Sequence, residues 1–259
     1  MVASVAQTAM VSGLYPMLPF WLRQLRGETP GATLMGALYE WSCALAITAA
    51  RPAGFFPLPG ATVRGPRPII VVHGYSQNRA NFLLLSSRLA AAGLGPVIGF
   101  EYWTLGRTAA AARQLGWFVD EVRVATGAES VDIVGHSMGG VVGLYYVSLA
   151  GGDGIVDNLI TLGSPIAGTD VSSFGIGHPG RELLTGSKLV TRLAAAPPPK
   201  DTRVTTIWST ADAFVPGVNQ PVVPGAERIM YNHLGHVSLL ASRQVADDVI
   251  ARLSRKRQS

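Results

Sequence analysis

Ser130-Val-Asp-Ile-Val-Gly-His-Ser-Met-Gly-Gly-Val-Val142 is the stretch whose reading decides the fold. Ser130–Val134 is a short, mostly apolar run and predicts a strand buried on both faces. Gly135-His136-Ser137-Met138-Gly139 follows it in the form G-x-S-x-G, and an apolar helical stretch over 138–150 comes next. The motif needs that order of strand, tight turn and helix. The serine of such a turn has strained dihedrals, and the flanking glycines leave room where a Cβ would clash. Its hydroxyl stands at the strand end, beside a helix N-terminus that favours developing negative charge. The plain alternative is a glycine-rich turn with a helix-capping serine. In a chain with 30 glycines the motif alone would not dismiss it, but the flanking strand and helix weigh against it.

Outward from this centre the same rhythm repeats. Upstream, Pro68–Val72 reads as a buried strand ending at His73-Gly74, 79–93 as a helix, Pro96–Phe100 as a strand and 107–126 as a long helix closed by Gly127. Downstream, Asn158–Leu162 and Arg203–Trp208 read as strands, with a sixth near 226–231 and a closing helix over 237–255. Strands alternating with helices predict an α/β fold: a mostly parallel central sheet with helices on both faces. Residues 165–200 are too long for an ordinary connection and predict a small cap over the carboxyl ends of the strands. Phe174, Ile176, Leu183, Leu184 and Leu189 make that cap apolar. Proline-rich 52–68 reads as a linker or extended arm, and 197–200 as a stiff connector. The expected division is an apolar helical extension over 1–60 and a catalytic domain over 61–259.

A serine nucleophile needs a base, and sites of this kind run serine, acid, histidine along the chain. Of the five histidines, His73 lies in the wrong loop and suits a role in holding it. His136 is inside the elbow and points away from the hydroxyl, and His178 is in the cap. His236 follows the last strand and precedes the last helix, so it is the expected base, with His233 as runner-up. Asp212, at the end of the Arg203–Trp208 strand, is the expected acid that orients the histidine and stabilises its imidazolium. Asp170, Asp201 and Glu227 are less well placed, and Asp132 lies inside a strand before the serine. The loop Gly74–Asn78 allows the backbone N–H of Tyr75 to join that of Met138 in an oxyanion hole.

These residues resemble the bacterial lipase/esterase branch of the α/β-hydrolases, triacylglycerol lipases included. The resemblance rests on Gly135–Gly139, the His73-Gly74 loop, Thr161-Leu-Gly-Ser-Pro-Ile-Ala-Gly-Thr169, Trp208–Asp212 and Gly235–Leu240, in that family's order over about 66–255. It implies the α/β-hydrolase fold and hydrolysis of carboxylic esters, often of lipids, with no organic cofactor. It also supports the split of the oxyanion hole between Met138 and Tyr75. Some relatives carry a histidine where Ile166 stands, and that change makes the floor of the cap more apolar. Some larger relatives hold a structural calcium near the histidine loop; no aspartate pair is assigned to one here, so no metal is expected. The same triad would also serve an acyltransferase, a peptidase or a polyester hydrolase. A silent binding protein of this fold usually lacks a triad member, and none is missing from this sequence.

Composition narrows the remaining classes. The chain has 259 residues, 48% of them hydrophobic and 14% charged, which suits one sizeable core. A net charge of +5 without a basic, aromatic-interleaved stripe argues against nucleic acid as a partner. The basic end Arg252–Arg257 reads as a helix terminus whose cations face the negative pole of the dipole. The single cysteine, Cys43, excludes an intramolecular disulfide and reads as a buried thiol. Residues 1–22 carry no charged side chain, with Arg23 and Arg26 behind them, the reverse of a secretory signal. Membrane association and export both stay open. Over 31–50, Glu40 disfavours a bilayer span, and Leu34, Leu38, Trp41 and Leu45 share one helical face. That predicts a helix packed on the domain or lying on a membrane surface. The expected partner is a small ester or lipid, with peripheral membrane contact through the N-terminal region.

Overall fold

A computed structural model gives the architecture and describes residues 33–170, 176–215 and 223–255. The strands are β1 (Ile69–Val72), β2 (Val97–Phe100), β3 (Val131–His136), β4 (Val156–Leu162), β5 (Arg203–Ser209) and β6 (Glu227–Tyr231). They form one sheet in the order β2-β1-β3-β4-β5-β6, and every pairing in it is parallel. The helices are α1 (Leu34–Ala49), α2 (Leu83–Ala91), α3 (Thr108–Thr126), α4 (Met138–Leu149), α5 (Pro179–Glu182), α6 (Lys188–Ala194), α7 (Ser238–Ala241) and α8 (Arg243–Leu253).

The chain steps from β1 outward to β2, then back past β1 to β3. Right-handed crossovers therefore put α2 and α3 on opposite faces of the sheet. Alternate side chains of one strand feed the two sides. Ile70, Val72 and Ile133 pack with α3 and α4 through Leu115, Val119 and Val141. Ile69, Val71 and Val134 pack with α2, α7 and α8 through Leu85, Leu239 and Val249. Burial on both sides is why these strands read as continuous apolar runs. Each fully buried Leu or Ile stabilises the fold by roughly 1.5–3 kcal/mol.

Two expected helices begin or break differently. The stretch 79–93 starts as a 3₁₀ turn, Arg79–Phe82, capped by the Asn78 side chain. The closing helix is two helices separated at Ser242, whose backbone is extended and whose hydroxyl caps Val245. The arm over 52–68 runs beside β2, with Val97 N–H bonded to the Gly60 carbonyl at 3.1 Å.

At the amino ends of the strands lies an ion cluster. Arg67 reaches Asp132 at 3.0 Å and Asp157 at 3.2 Å, and Arg203 reaches Asp157 at 2.7 Å. Burial raises the Asp132 carboxyl to about 6 despite Arg67. The basic end is held by acids rather than by the dipole alone. Arg252 pairs with Asp248 and Glu227, and Arg255 with Glu227 at 3.0 Å. Lys256 and Arg257 lie outside the described residues.

Of the two orientations expected for the N-terminal helix, packing of the stripe on the domain is not the one found. Leu34, Leu38, Trp41 and Leu45 are 72%, 55%, 49% and 72% exposed, so the apolar stripe faces outward rather than packing on the domain. The buried side chains of α1 are Glu40 and Cys43. No described helix is long and apolar enough to cross a membrane.

Candidate active site

β1 and β3 are neighbours whose following segments depart to opposite sides. In parallel α/β sheets ligands bind in the crevice this opens, outside the carboxyl ends of the strands. Here the loop after β1 and the turn after β3 meet at that point.

Ser137 stands between β3 and α4 at φ 54° and ψ −128°. Among the described residues only Ser137 and Ser76 are non-glycine with positive φ. Such a conformation costs on the order of 1–3 kcal/mol and persists only where its surroundings over-determine it. The surroundings do so here. Ser137 N–H is bonded to the Leu162 carbonyl at 2.9 Å. A Cβ on Gly135 would lie 2.5 Å from Gly140 Cα, and one on Gly139 would strike the Val72 carbonyl oxygen. The G-x-S-x-G spacing is thus a packing requirement of the turn. Met138 opens α4, so its N–H has no carbonyl one turn back to bond.

Asp212 is fully buried after β5. One of its oxygens accepts the backbone N–H groups of Phe214 and Val215 at 2.9 and 3.0 Å. The other lies 2.8 Å from His236 Nδ1. An ionised carboxylate accepts only, so Nδ1 carries the hydrogen and Nε2 is left with its lone pair. Burial alone would lower the imidazole pKa, but Asp212, and behind it Glu40, raise it above the ordinary value. Phe214 tilts against the His236 ring at 4.9 Å between centroids.

His136, next to Ser137, is buried, and its ring lies 4.7 Å from that of His236. Its Nε2 is 3.0 Å from the His236 carbonyl and its Nδ1 3.1 Å from Gln77 Oε1. Burial, reinforced by His236, holds it well below the usual histidine range, so it is a neutral spacer. The same Gln77 oxygen accepts Gly74 N–H at 2.9 Å, tying the loop after β1 to the elbow. Sequence reasoning missed this linking role of His136 and Gln77; the only signal was their position inside the two motif loops. No hydrogen bond joins Ser137 Oγ to His236 among the described residues.

His73 is held as expected for a loop support. Its Nδ1 is 3.0 Å from the Gly74 carbonyl, its Nε2 3.2 Å from Glu101, and its ring stacks on Tyr102. Tyr102 O–H donates to the His73 carbonyl at 2.8 Å. Burial works to raise the Glu101 carboxyl, but the bonds from His73 and Arg79 win and hold it low. Tyr75 is half-buried. Its hydroxyl exchanges two hydrogen bonds with the backbone of Ile176, at 3.0 and 2.8 Å, and so pins the cap segment beside the loop.

The other candidates stay apart. His233 is exposed and bonds its neighbour Asn232, and His178 precedes α5. Leu183 turns into the core, Ile176 is exposed, and Phe174 lies outside the described residues. Ile166 packs in the core cluster that includes Leu183 and Leu193. A small cleft lies between Leu144, Ile166, Leu193, Val223 and the Pro197–Pro199 run. Its lining does not include Ser137, Asp212 or His236. Among the described residues no group of three or more His, Cys, Asp or Glu is arranged to hold a metal ion.

Known proteins share this architecture. A family model described as a PGAP1-like alpha/beta domain matches residues 120–174, which include the elbow and the Ser164–Gly168 run. The lipase BlEst2 of Bacillus licheniformis, in mature form, superposes with a TM-score of 0.68 at 15% identity, over 76% of this chain and 97% of that one. The monoacylglycerol lipase of Paleococcus ferrophilus gives 0.57 at 14% identity, over 72% and 95%. An alpha/beta hydrolase from a lagoon-sediment metagenome gives 0.53 at 20% identity, over 73% and 90%. The chain has the α/β-hydrolase fold that these structures share.

Proposed function

We propose that this protein is a serine carboxylic-ester hydrolase of lipase/esterase type that works through an acyl-enzyme on Ser137. One observation carries the reading: the buried 2.8 Å contact between Asp212 and His236, with its Nε2 lone pair left over, beside the strained turn at Ser137. His236 Nε2 takes the hydroxyl proton as Ser137 Oγ attacks the ester carbonyl carbon. The N–H groups of Tyr75 and Met138 hold the oxyanion. The alcohol leaves with the proton from His236, and a water activated by the same nitrogen releases the acid. Asp212 stays ionised and keeps the imidazole in the required tautomer.

The substrate side follows from the surface. α1 presents Leu34, Met35, Leu38, Trp41 and Leu45 to solvent, and the chain carries a net charge of +5. A lipid surface, anionic lipids included, fits that combination better than a soluble protein partner.

The test is hydrolysis of chromogenic esters of increasing chain length by the wild type and Ser137→Ala, with serine-directed phosphonate labelling alongside. The expected result is label on Ser137 and loss of turnover by several orders of magnitude with the fold intact. A Ser137→Ala enzyme at near-normal rate, or a wild type that takes no label at Ser137, overturns the proposal.

A further inference from the structure

Glu40 is a fully buried carboxylate on a helix whose apolar stripe faces solvent. Its two oxygens accept the backbone N–H groups of Val237 at 2.6 Å and Ser238 at 2.8 Å, the residues directly after His236. The approach is close enough that a Cβ on Gly235 would strike the Glu40 side chain, so the glycine before the histidine is where this carboxylate passes. Burial pushes the Glu40 carboxyl above the ordinary carboxylate range, and the bonds from Val237 and Ser238 work against that by favouring the ionised, acceptor-only form. Leaving such a group buried without these partners would be strongly unfavourable. The loop and α1 therefore fix each other.

The segment after α1 grips the other half of the site. Arg51 donates to the Ser76 carbonyl at 2.6 Å, and Asn78 donates back to the Arg51 carbonyl at 3.0 Å. The N-terminal segment thus touches both the loop after β1 and the histidine loop.

We propose that Glu40 is a positioning residue for His236, fixing the backbone of Gly235–Ser238 from outside the sheet. The proposal rests on Ser137, Asp212 and His236 acting as described above. Glu40 does not touch the reacting atoms. It holds the segment that aims the imidazole, and it places a second negative charge behind Asp212. The charged and titratable groups facing His236 are Asp212 from the loop after β5, His136 from the end of β3 and Glu40 from α1. Tyr39 and Cys43 flank Glu40 on its own helix.

The experiment compares Glu40→Gln and Glu40→Asp with wild type in the full chain. Phosphonate labelling counts functional sites, thermal unfolding reports the fold, and kcat and KM for a soluble short-chain ester are followed against pH. In Glu40→Gln one N–H faces an amide nitrogen instead of an oxygen, and the charge is gone. The expected result is a kcat about 10- to 100-fold lower per labelled site, the scale of a small misplacement of a catalytic group. KM should stay within about twofold, and the acid limb of kcat/KM should move to lower pH, because the charge that raises the His236 pKa has been removed. Glu40→Asp keeps the charge but is too short for both N–H groups, so kcat should fall while the limb stays in place. A purely structural role would lower the number of sites and leave the pH limb of the survivors unmoved. A folded Glu40→Gln with wild-type kcat and limb overturns the proposal; if that variant does not fold, wild-type kcat in Glu40→Asp does so. A wild type that takes no label at Ser137 overturns the parent reading as well, which separates the two failures.

Discussion

Replacing Asp212 by Asn separates the chemistry of the site from its stability. The oxygen facing Phe214 and Val215 accepts two backbone N–H groups at 2.9 and 3.0 Å, so it dictates which end of the amide points where. With the amide oxygen kept there, the NH₂ faces His236 Nδ1. Nδ1 must then accept, the ring proton moves to Nε2, and the nitrogen beside Ser137 can no longer take a proton. Flipping the amide restores the productive tautomer but leaves two buried N–H groups without an acceptor, at about 1–3 kcal/mol each. A total of roughly 2–6 kcal/mol, at 1.36 kcal/mol per tenfold, puts the productive form at about 1 in 30 to 1 in 10⁴. Steady-state hydrolysis of a soluble chromogenic ester should therefore fall by about 30- to 10⁴-fold, with Tm within a few degrees of wild type. Asp212→Ala should behave differently. It strips the acceptor from both N–H groups outright, so stability should fall by about 2–6 kcal/mol together with the activity. An Asp212→Asn enzyme retaining more than about a tenth of wild-type kcat would refute the reasoning.

Three further outcomes are expected. Because Asp212 and Glu40 raise the His236 imidazole and only its neutral form accepts the serine proton, kcat/KM should rise with pH through a limb alkaline of the ordinary histidine value of about 6.5; a pH–rate profile with the limb at or below that value contradicts the charge arrangement. Arg67→Met leaves Asp132 and Asp157 buried without their shared cation and should cost about 3–5 kcal/mol in denaturant unfolding. Activity per folded molecule should hold, since Asp132 lies five strand residues, about 16 Å, from Ser137. Leu38→Ser with Leu45→Ser should cut cosedimentation with anionic phospholipid vesicles by about tenfold or more, since each leucine contributes up to about 1.5–3 kcal/mol when buried in lipid. Hydrolysis of a soluble ester should be unchanged, and unaltered vesicle binding would remove α1 as the contact.

Much of the fold is written locally. β1, β3 and β4 stand out because both of their faces are buried, so Ile69–Val72 reads as an unbroken apolar run and Asn158–Leu162 as a largely apolar one. The elbow is legible because the glycines at 135 and 139 meet backbone atoms. Asp212 and His236 are legible because chain order in a parallel sheet restricts which loops reach the carboxyl ends. The orientation of α1 is not legible. Helical periodicity puts Leu34, Leu38, Trp41 and Leu45 on one face but does not say whether that face packs on the domain or turns outward, since it counts hydrophobicity and not hydrogen-bond partners. Glu40 goes inward because two N–H groups of a distant loop satisfy it, and no local window contains that fact. The break of the last helix at Ser242 is hidden for a related reason, because its surroundings are apolar enough to pass for one continuous helix.

The bond between Glu40 and Val237 also sets an order of events in the making of the molecule. The carboxylate is synthesised early and its donors 197 residues later. At about 5–20 residues per second on a ribosome, that is a wait of roughly 10–40 s. Throughout it α1 has nowhere to bury its charge and must keep that face wet. His236, the partner of Asp212, arrives on the same short stretch that finally receives Glu40. Closing so long a loop late costs conformational entropy that a local contact avoids. In exchange, Ser137 stays apart from His236, which is made 99 residues later, and the arrangement proposed for hydrolysis closes only when the two ends of the fold meet.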